Sequence, residues 1–595
     1  MIGTSKTYMK SLKALNKYFI KYKYLFILGI VITIASQIFS LYTPKLVGDS
    51  FRAIEAHVQS GSSKSDLVKD LLLKNILLIL GTTFIAGFLT FLVRQTLIVM
   101  SRYIEFDLKN EIFRHYQVLP VSFYKKNRTG DLMNRISEDV SKVRMYVGPA
   151  LMQSIKTIIR FSVVIIQMYL ISPMLTFFTL LPLPILSYAI YKLSKEINLR
   201  SKIFQEYLSK LSSVSQELFS GIRVIKAYAI EQDNLHSVNE LSNEMKDKNL
   251  SLSKINAFFA PLMILLIGSS SLLVVYVGGV MYINGQIASI GVIAEFVIYV
   301  NMLTWPVASI GWVMSLIKEA EASQQRINEF LEVQPDIVNN NPDRSDIQGT
   351  IEFKNVSFTY EDTNLTALKD ISFTIEQGQK VVILGNIGSG KSTILALITR
   401  LYDITEGQIL IDGTPIHLVN LKDLRDNIGV VPQDAFLFSD SIKNNIMFGD
   451  PKATDEAVIE AAQKANVHED ILGFSKQYDT VLGERGITLS GGQKQRVSIA
   501  RVLIKKTVKV LLFDDSLSAV DTETEKKILK NLYSDSKGKT TIIVSHRVAT
   551  AKSADKIIVL NEGRIEQQGT HKQLIAKSGY YKDLYEKQRS EKVAV

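Results

Sequence analysis

The stretch Lys380–Thr393, KVVILGNIGSGKST, decides the fold of the second half of this chain. Its first residues form an apolar, β-branched run that is typical of a buried strand. The spacing G-x4-G-K-S begins at Gly385, and the helical run at 394–403 follows directly. Strand, glycine-rich loop and helix in this order indicate a loop whose backbone N–H groups wrap around phosphate oxygens.

The loop residues have distinct expected roles. Lys391 should reach the β- and γ-phosphates of a nucleotide, and the Ser392 hydroxyl should ligate Mg²⁺. A second apolar strand, at 508–513, ends in Asp514-Asp515, and a carboxylate at such a strand tip holds the metal in nucleotide hydrolases. The residues expected to bind the nucleotide are Gly385, Asn386, Ile387, Gly388, Ser389, Gly390, Lys391, Ser392 and Thr393.

Strand and helix patterns alternate through the second half, up to the apolar run at 540–544. This alternation predicts an α/β domain with a mostly parallel sheet, in which the ligand binds beyond the carboxyl ends of the strands. The chain has no cysteine, which excludes a disulfide framework, cysteine-zinc sites and iron–sulfur clusters.

The first half contains long stretches without one formal charge. A membrane-spanning helix needs roughly 20 predominantly apolar residues. Ser172-Pro173 and Asn284-Gly285-Gln286 interrupt the two longest stretches, so the pattern predicts six spans, the fourth of them at 174–193. The charge-free stretches are Tyr24–Pro44, Asn75–Val93, Phe161–Tyr191, Ile255–Ala294 and Phe296–Ile317.

Basic residues predict the orientation of these spans. Residues 1–349 carry 36 Lys and Arg against 26 Asp and Glu, whereas 350–595 carry 33 against 32. The connections at 102–145 and 192–254 are rich in Lys and Arg, which favours the cytoplasmic side for them, for the N-terminus and for the second domain. Lysines within 1–23 suit a basic amphipathic helix on the inner surface, with Tyr8, Leu12, Leu15 and Phe19 towards lipid. The net positive charge therefore indicates membrane lipid as a partner and no nucleic acid.

LSGGQ at Leu489–Gln493 resembles the signature of ATP-binding-cassette transporters. The other cassette motifs follow the family order. In the membrane half, Lys126–Val140 and Glu217–Glu231 resemble the two loops that carry coupling helices. The remaining motif residues are Tyr360 for adenine stacking, Gln433 of the Q-loop, Gly483–Gly486 before the signature, Asp521 of the D-loop and His546 of the switch.

The resemblance covers essentially the whole chain. It implies a membrane all-α domain of six helices, exporter type, at 1–330, a linker at 331–349 and an α/β P-loop NTPase domain at 350–595. The activity implied is ATP hydrolysis by a translocase, with ATP and Mg²⁺ as cofactors and Ser392, Gln433 and Asp514 around the metal. In this family two cassettes pair head to tail, so the signature residues of one chain would close the partner's ATP: Leu489, Ser490, Gly491, Gly492 and Gln493.

Asp515 departs from the family pattern, which has Glu at this position. The shorter side chain places its carboxylate back by roughly 1–1.5 Å, and misplacement on that scale can cost about 10²-fold in rate. One interpretation is a slower but working base together with His546. The favoured one is a degenerate site in a heterodimer, where a second half-transporter supplies the Glu.

Charged residues in the spans suggest a substrate path. Arg94, Arg160 and Glu295 are candidates, because charge inside a membrane is costly and often functional. Snorkelling at a membrane edge is the alternative for Arg94. Glu295 would favour cationic or polar substrates.

We expect export of a small amphiphile or drug across a bacterial plasma membrane. The alternatives are lipid flipping, peptide export, a homodimer with two slow sites, and an ATP-gated channel or regulator.

Overall fold

The computed structural model describes residues 11–60, 65–483, 486, 488–518, 520–535 and 538–593. The chain divides into two compact units. The first runs up to Gln117 and resumes at Gly130–Val333, and the second comprises Val118–Thr129 and everything from Gln334 onwards. A short segment of the first predicted coupling loop therefore belongs to the cassette unit. Parts of the expectations above lie outside the described residues, namely Tyr8 and the lysines Lys6 and Lys10 of the N-terminal segment, and Glu484 and Arg485 within Gly483–Gly486.

The regular elements described in the first unit are all helices. Five-residue π-helical turns at Arg94–Ile98, Arg135–Asp139 and Tyr146–Ala150 join some of its helices into longer rods. Its helices are α1 (Asn16–Lys21), α2 (Lys23–Ser60), α3 (Ser65–Val93), α4 (Val99–Val118), α6 (Thr129–Asn134), α7 (Val140–Met145), α8 (Leu151–Ile171), α9 (Pro173–Leu180), α10 (Pro182–Ser220), α11 (Ile222–Tyr228), α12 (Glu231–Ile283) and α13 (Ile290–Leu331); α5 (Val121–Lys126) lies in the second unit.

Five helices in the described part of the chain are long and apolar enough to cross a membrane: Lys23–Gln59, Asp66–Val118, Thr129–Ile171, Glu231–Ile283 and Ile290–Leu331. The fourth expected span, at 174–193, is instead divided between α9 and α10 at Leu181. Pro182 begins α10, and a proline has no N–H to continue the preceding helix. Ser172 caps α9 with its side chain, which agrees with the turn expected there.

The N-terminal segment corrects one expectation. Leu15 is fully buried within the protein instead of facing lipid. Lys17 and Lys21 form ion pairs with Glu111 and Asp107 of α4, both at 2.5 Å. Opposite charges on α4 therefore hold this segment against the protein, which the acid-free sequence of the segment itself does not reveal.

The second unit contains two sheets. One has four strands in the order β2-β1-β4-β5, and all its pairs are antiparallel. The other has the order β10-β9-β3-β8-β7-β6 and is parallel except for its edge strand β10. The strands are β1 (Ile351–Tyr360), β2 (Leu365–Ile375), β3 (Lys380–Gly385), β4 (Glu406–Ile411), β5 (Thr414–Pro415), β6 (Ile428–Val431), β7 (Val510–Asp514), β8 (Thr540–Val544), β9 (Lys556–Asn561) and β10 (Arg564–Gly569).

Helices cover the parallel sheet, and apolar side chains from the strands build the core on its two faces. Because β3, β7 and β8 are parallel neighbours, their carboxyl ends meet at one edge of the sheet. The helices of this part are α14 (Lys391–Ile398), α15 (Leu421–Asp426), α16 (Ile442–Met447), α17 (Asp455–Lys464), α18 (His468–Leu472), α19 (Gly491–Leu503), α20 (Thr522–Asp535), α21 (Val548–Ala551), α22 (His571–Ile575) and α23 (Tyr580–Val593).

Candidate functional site

The glycine-rich loop lies between the end of β3 and the start of α14. The Lys391 ammonium group folds back and donates to the carbonyl oxygens of Gly385, at 2.9 Å, and Asn386, at 2.7 Å. The Ser392 hydroxyl donates to Asp514 Oδ1 at the end of β7, at 2.9 Å. Burial lowers the pKa of Lys391 and raises the pKa of Asp514. Both groups are therefore poorly hydrated, and an ion of opposite sign would stabilise the charged form of each.

The loop fits a nucleotide phosphate. The buried hydroxyl of Ser389 has no hydrogen-bond partner among the described residues, so it offers a free donor inside the loop. Gly388 has φ +81°, and a Cβ there would meet nothing within 4 Å, so the space beside this glycine is open. Gly390, with φ +96°, is different, because its Cβ would lie 2.5 Å from the carbonyl oxygen of Ala367. A side chain at Gly390 would force the loop away from the sheet.

The expected metal ligands are only partly assembled. Ser392 and Asp514 are in contact, whereas the exposed Gln433 side chain hydrogen-bonds to neither. Within the described ranges no three His, Cys, Asp or Glu side chains form a metal cluster. Mg²⁺ needs none, because it commonly takes one or two carboxylates and fills its shell with water and substrate phosphates. Ser392 and Asp514 would hold Mg²⁺, which would neutralise charge between the phosphates when bound.

Tyr360 borders a cavity of about 440 Å³ near the loop. Its hydroxyl is 3.1 Å from Thr393 Oγ1, which ties the ring to the P-loop. Phe358 meets the ring edge-on at a centroid distance of 4.8 Å, and the Lys125 ammonium of α5 lies 4.7 Å from the ring centroid. An aromatic ring so fixed can stack on a base.

Asp515 and His546 meet at the ends of β7 and β8. His546 Nδ1 is 3.1 Å from Asp515 Oδ1 and 3.2 Å from Oδ2. Asp515 adopts φ +43°, and its carbonyl oxygen accepts hydrogen bonds from the Ser518 backbone and hydroxyl. The backbone that carries Asp515 is thus closely constrained. The carboxylate is engaged by the switch histidine, not by the metal ligands.

Asp521 acts as the cap of a helix in this chain. Its carboxylate accepts from the backbone N–H groups of Thr524, at 3.0 Å, and Glu523, at 3.1 Å. These backbone hydrogen bonds, the one from Thr524 foremost, lower the pKa of Asp521.

The guanidinium of Arg547 pairs with the carboxylate of Glu525 and donates to the carbonyl oxygen of Ser518 at 2.9 Å. Arg547 therefore joins the D-loop region to the switch region.

The C-terminal helix α23 contributes two contacts that the sequence reading missed. The Gln588 side chain donates to the His546 carbonyl oxygen at 2.8 Å and accepts from the Val548 N–H at 2.9 Å. The Tyr580 hydroxyl donates to Asn386 Oδ1 of the P-loop at 3.0 Å. No motif marks these residues. The sequence of α23 predicts only a charged, solvent-exposed helix, and its position beside the site follows from the fold.

The signature residues are preorganised at the start of α19. Ser490 and Gln493 form a capping box, with hydrogen bonds of 3.2 and 3.0 Å between side chain and backbone, and Gln493 also donates to Asp470. Gly491 and Gly492 follow the cap, and a Cβ at Gly491 would meet nothing within 4 Å. Leu489 is buried and anchors the turn. Among the described residues no hydrogen bond joins the signature to the P-loop of the same chain.

The charged residues of the spans differ in their surroundings. Glu295 is buried, accepts from the Tyr299 hydroxyl at 2.8 Å and lies 3.7 Å from Arg52 Nη2. Arg160 donates to Gln37 Oε1 at 2.6 Å, and Arg94 is exposed. Direct contact between Glu295 and a substrate would require its helices to separate.

Two family models match the chain. The ABC transporter transmembrane region matches residues 24–307, and the ABC transporter domain matches residues 368–518. The structure of a bacterial Atm1-family ABC exporter with ATP bound superimposes with a TM-score of 0.77, at 26% sequence identity, and covers 96% of this chain and 98% of that chain.

Curated relatives extend over nearly the full length. The probable multidrug resistance ABC transporter ATP-binding/permease protein YheI of Bacillus subtilis (strain 168) is 34% identical over 97% of both chains. The ATP-dependent lipid A-core flippase of Syntrophus aciditrophicus (strain SB) is 34% identical over 82% of this chain and 80% of its own. These matches confirm the expected exporter fold and ATPase activity: the chain belongs to the ABC transporters, as an exporter-type helical transmembrane domain fused to its ATP-hydrolysing cassette.

Proposed function

We propose that this chain is one half of a dimeric exporter that moves amphiphilic or drug-like molecules across a bacterial plasma membrane by alternating access. ATP draws two cassettes together, and the coupling segments transmit the closure to six spans in each half. The similarity to a multidrug relative supports this class of cargo. The residues at the cassette site support ATP hydrolysis as the energy source for its transport. The N-terminus and the cassette lie in the cytoplasm in this proposal.

The partner is a different half-transporter, and the observation that carries this step is Asp515. Its carboxylate is shorter than the usual Glu and is engaged by His546 at 3.1 Å. This chain's own ATP site is therefore impaired, while its signature completes the competent site of the partner. Exporters with fused domains commonly dimerise, and Gly491 leaves the start of α19 open for a phosphate of that partner's ATP.

The test compares ATPase rates of the purified full chain, alone and with the half-transporter encoded beside it. We expect a low rate alone and a high rate for the pair. Where two copies of this chain pair with each other, Asp515→Glu should raise their rate by about 10²-fold, since it moves the carboxylate forward. Asp515→Asn is the matched control. Full activity of the chain alone that Asp515→Asn abolishes would instead establish a homodimer.

Lipid flipping is the second candidate, supported by the relative named as a lipid A-core flippase. Sealed vesicles separate the possibilities. ATP-driven accumulation of a dye against its gradient supports export, and ATP-dependent movement of a labelled lipid between leaflets supports flipping. A solute that only equilibrates would identify a gated channel, since a channel cannot concentrate its solute.

A further inference from the structure

A cavity of about 870 Å³ lies between helices α10 and α13 of the membrane unit. Its size falls within the range of roughly 300–1,000 Å³ that is usual for ligand pockets. Apolar side chains form much of its wall, among them Ile190, Val307, Ile310 and Met314. The cavity can therefore accept the apolar body of an amphiphile.

Three lysines line the same cavity: Lys195, Lys202 and Lys318. Within the described part of the chain, none of them forms an ion pair with a carboxylate. The one acidic residue of the lining, Glu319, accepts a hydrogen bond from the Ser315 hydroxyl at 3.2 Å. Glu196, one residue from Lys195, is paired with Arg200 at 3.0 Å. The lining thus carries an excess positive charge.

The apolar and basic parts of the cavity are separated along the helices. The charge-free run of α13 ends at Ile317, directly before Lys318, and that of α10 ends at Tyr191, before Lys195. If α10 and α13 cross the membrane as the sequence predicts, the apolar wall would lie at the depth of the lipid tails and the lysines at the depth of the headgroups. This order matches an amphiphile that enters from the membrane with its charged group at the interface.

A second cavity of about 520 Å³ adjoins the first and shares Ser194, Asn198, Gly311 and Ser315 with it. Trp305 and Trp312, the two tryptophans of the chain, line this second cavity. An aromatic wall of this kind provides further apolar surface for a ligand.

Basic residues continue beyond the aromatic cavity. Ser309 lines that cavity and accepts a hydrogen bond of 3.0 Å from Gln153 of α8. One turn further along α8, Lys156 lies near two further cations, Arg160 and Arg94, whose like charges repel it. Among the described residues, no carboxylate pairs with any of these three cations. By contrast, Glu295 is buried against Tyr299 and Arg52.

We propose that the α10–α13 cavity binds an anionic amphiphile, with its apolar chain against the wall and its phosphate or carboxylate group on Lys195, Lys202 and Lys318. This inference rests on the proposed export function and names the class of its cargo. It differs from the preference for cationic or polar substrates that Glu295 suggests, because the lysines that line this cavity are positive, whereas Glu295 is buried against Tyr299 and Arg52.

Intrinsic tryptophan fluorescence tests the proposal, since both reporters line the adjoining cavity. The full chain, in nanodiscs of uncharged lipid and without ATP, is titrated with dodecyl phosphate and with dodecyltrimethylammonium, which share one apolar chain. We expect dodecyl phosphate to bind at least tenfold more tightly. Replacing all three lysines by Gln should weaken its binding by about 100-fold, at about fivefold for each charge. Lys192→Gln, an exposed lysine of α10 outside the lining, should change nothing.

Equal binding of the two probes, or unchanged binding of dodecyl phosphate by the triple variant, would overturn the proposal. Binding without ATP does not depend on turnover, so a chain that binds dodecyl phosphate yet exports nothing would refute only the export function. A chain that concentrates cationic dyes in vesicles but does not bind dodecyl phosphate would refute only the inferred class of cargo.

Discussion

Lys391 shows how burial tunes a single residue of the ATP site. Its ammonium group is held by two backbone carbonyl oxygens, and burial lowers its pKa from the ordinary value of 10.5. A neutral amine cannot pair with phosphate. We therefore expect ATP affinity to fall as the pH rises through this lowered pKa, at a pH below the one at which an ordinary lysine would titrate.

The measurement is the dissociation constant of ATP between pH 7 and pH 10. Lys391→Arg provides the control, because a guanidinium keeps its charge over this range. The variant should show a flat profile, even if its affinity is weaker throughout. A wild-type profile as flat as that of the variant would show that desolvation does not govern this lysine.

Gln588 is a positioning residue, because it contacts the backbone around His546 and not the nucleotide site itself. It donates to the His546 carbonyl oxygen and accepts from the Val548 N–H, so it fixes the backbone that carries the switch histidine. In the Asp515→Glu background, where we expect this chain's own site to turn over, Gln588→Leu should lower kcat by about 10- to 100-fold and leave the KM for ATP nearly unchanged.

Steady-state ATPase kinetics of the reconstituted protein give both constants. Lys587→Leu is the matched control, because it is the exposed neighbour of Gln588 on the same helix and should have no effect. A rise in KM with unchanged kcat would contradict the assigned role, since it would indicate a loss of nucleotide binding instead of a misplaced histidine.

At the scale of elements, α2 and α13 cross at unusually close range. A Cβ on Gly291 would lie 2.3 Å from the carbonyl oxygen of Gly48, and a Cβ on Gly48 would lie 2.9 Å from Glu295 Oε2. Small residues allow helices in membranes to approach in this way. Gly291→Ala should destabilise the protein by about 1–3 kcal/mol, because the backbone of α2 must move.

Thermal unfolding in nanodiscs measures this loss as a lower Tm. Gly279→Ala on α12 is the control, since a Cβ there meets nothing within 4 Å. Equal Tm values for the two variants would show that the two helices can separate at no cost, as direct access of a substrate to Glu295 would require.

Strands were the most predictable elements, because apolar β-branched runs and the motifs at their ends indicate a strand from local sequence alone. The strand before Gly385 and the strand before Asp514-Asp515 lie where the sequence predicts them. The division of the fourth span was not predicted, although Pro182 marks it in hindsight. The burial of Leu15 and the ion pair of Lys17 with Glu111 of α4 were not predicted either, because Glu111 lies far away in the sequence.

For the whole molecule, spacing predicts the P-loop and the family resemblance predicts the signature, since both motifs have fixed residue types; the metal ligands stay a prediction. The contacts of Tyr580 and Gln588 could not, because any polar side chain at the end of the chain could make them. The preference for cationic or polar cargo rested on Glu295 alone, and it stays a prediction. The structure pairs this charge internally, and only the surroundings of a charge reveal such neutralisation.

The segment Val118–Thr129 can be examined in the full chain because no native thiol interferes. The Ser122 hydroxyl donates to Asp336 Oδ2 at 3.4 Å, within the cassette unit. Ser122→Cys with Asp336→Cys should therefore be joined by a short bifunctional thiol reagent without loss of ATP binding. Protease digestion and gel electrophoresis detect the link, and each single variant is the control. Failure of the double variant to react would place the segment elsewhere.

This membership of Val118–Thr129 in the cassette unit also bears on biosynthesis. The ribosome makes that segment long before it makes Gln334 and the strands that follow, yet the Lys125 ammonium lies over the rings of the cassette's own Tyr360 and Tyr402. The early segment must therefore stay accessible at the membrane surface until translation ends. Correct insertion of the first helices becomes a checkpoint for maturation of the ATPase, and a recombinant cassette that starts at the linker lacks part of its own fold.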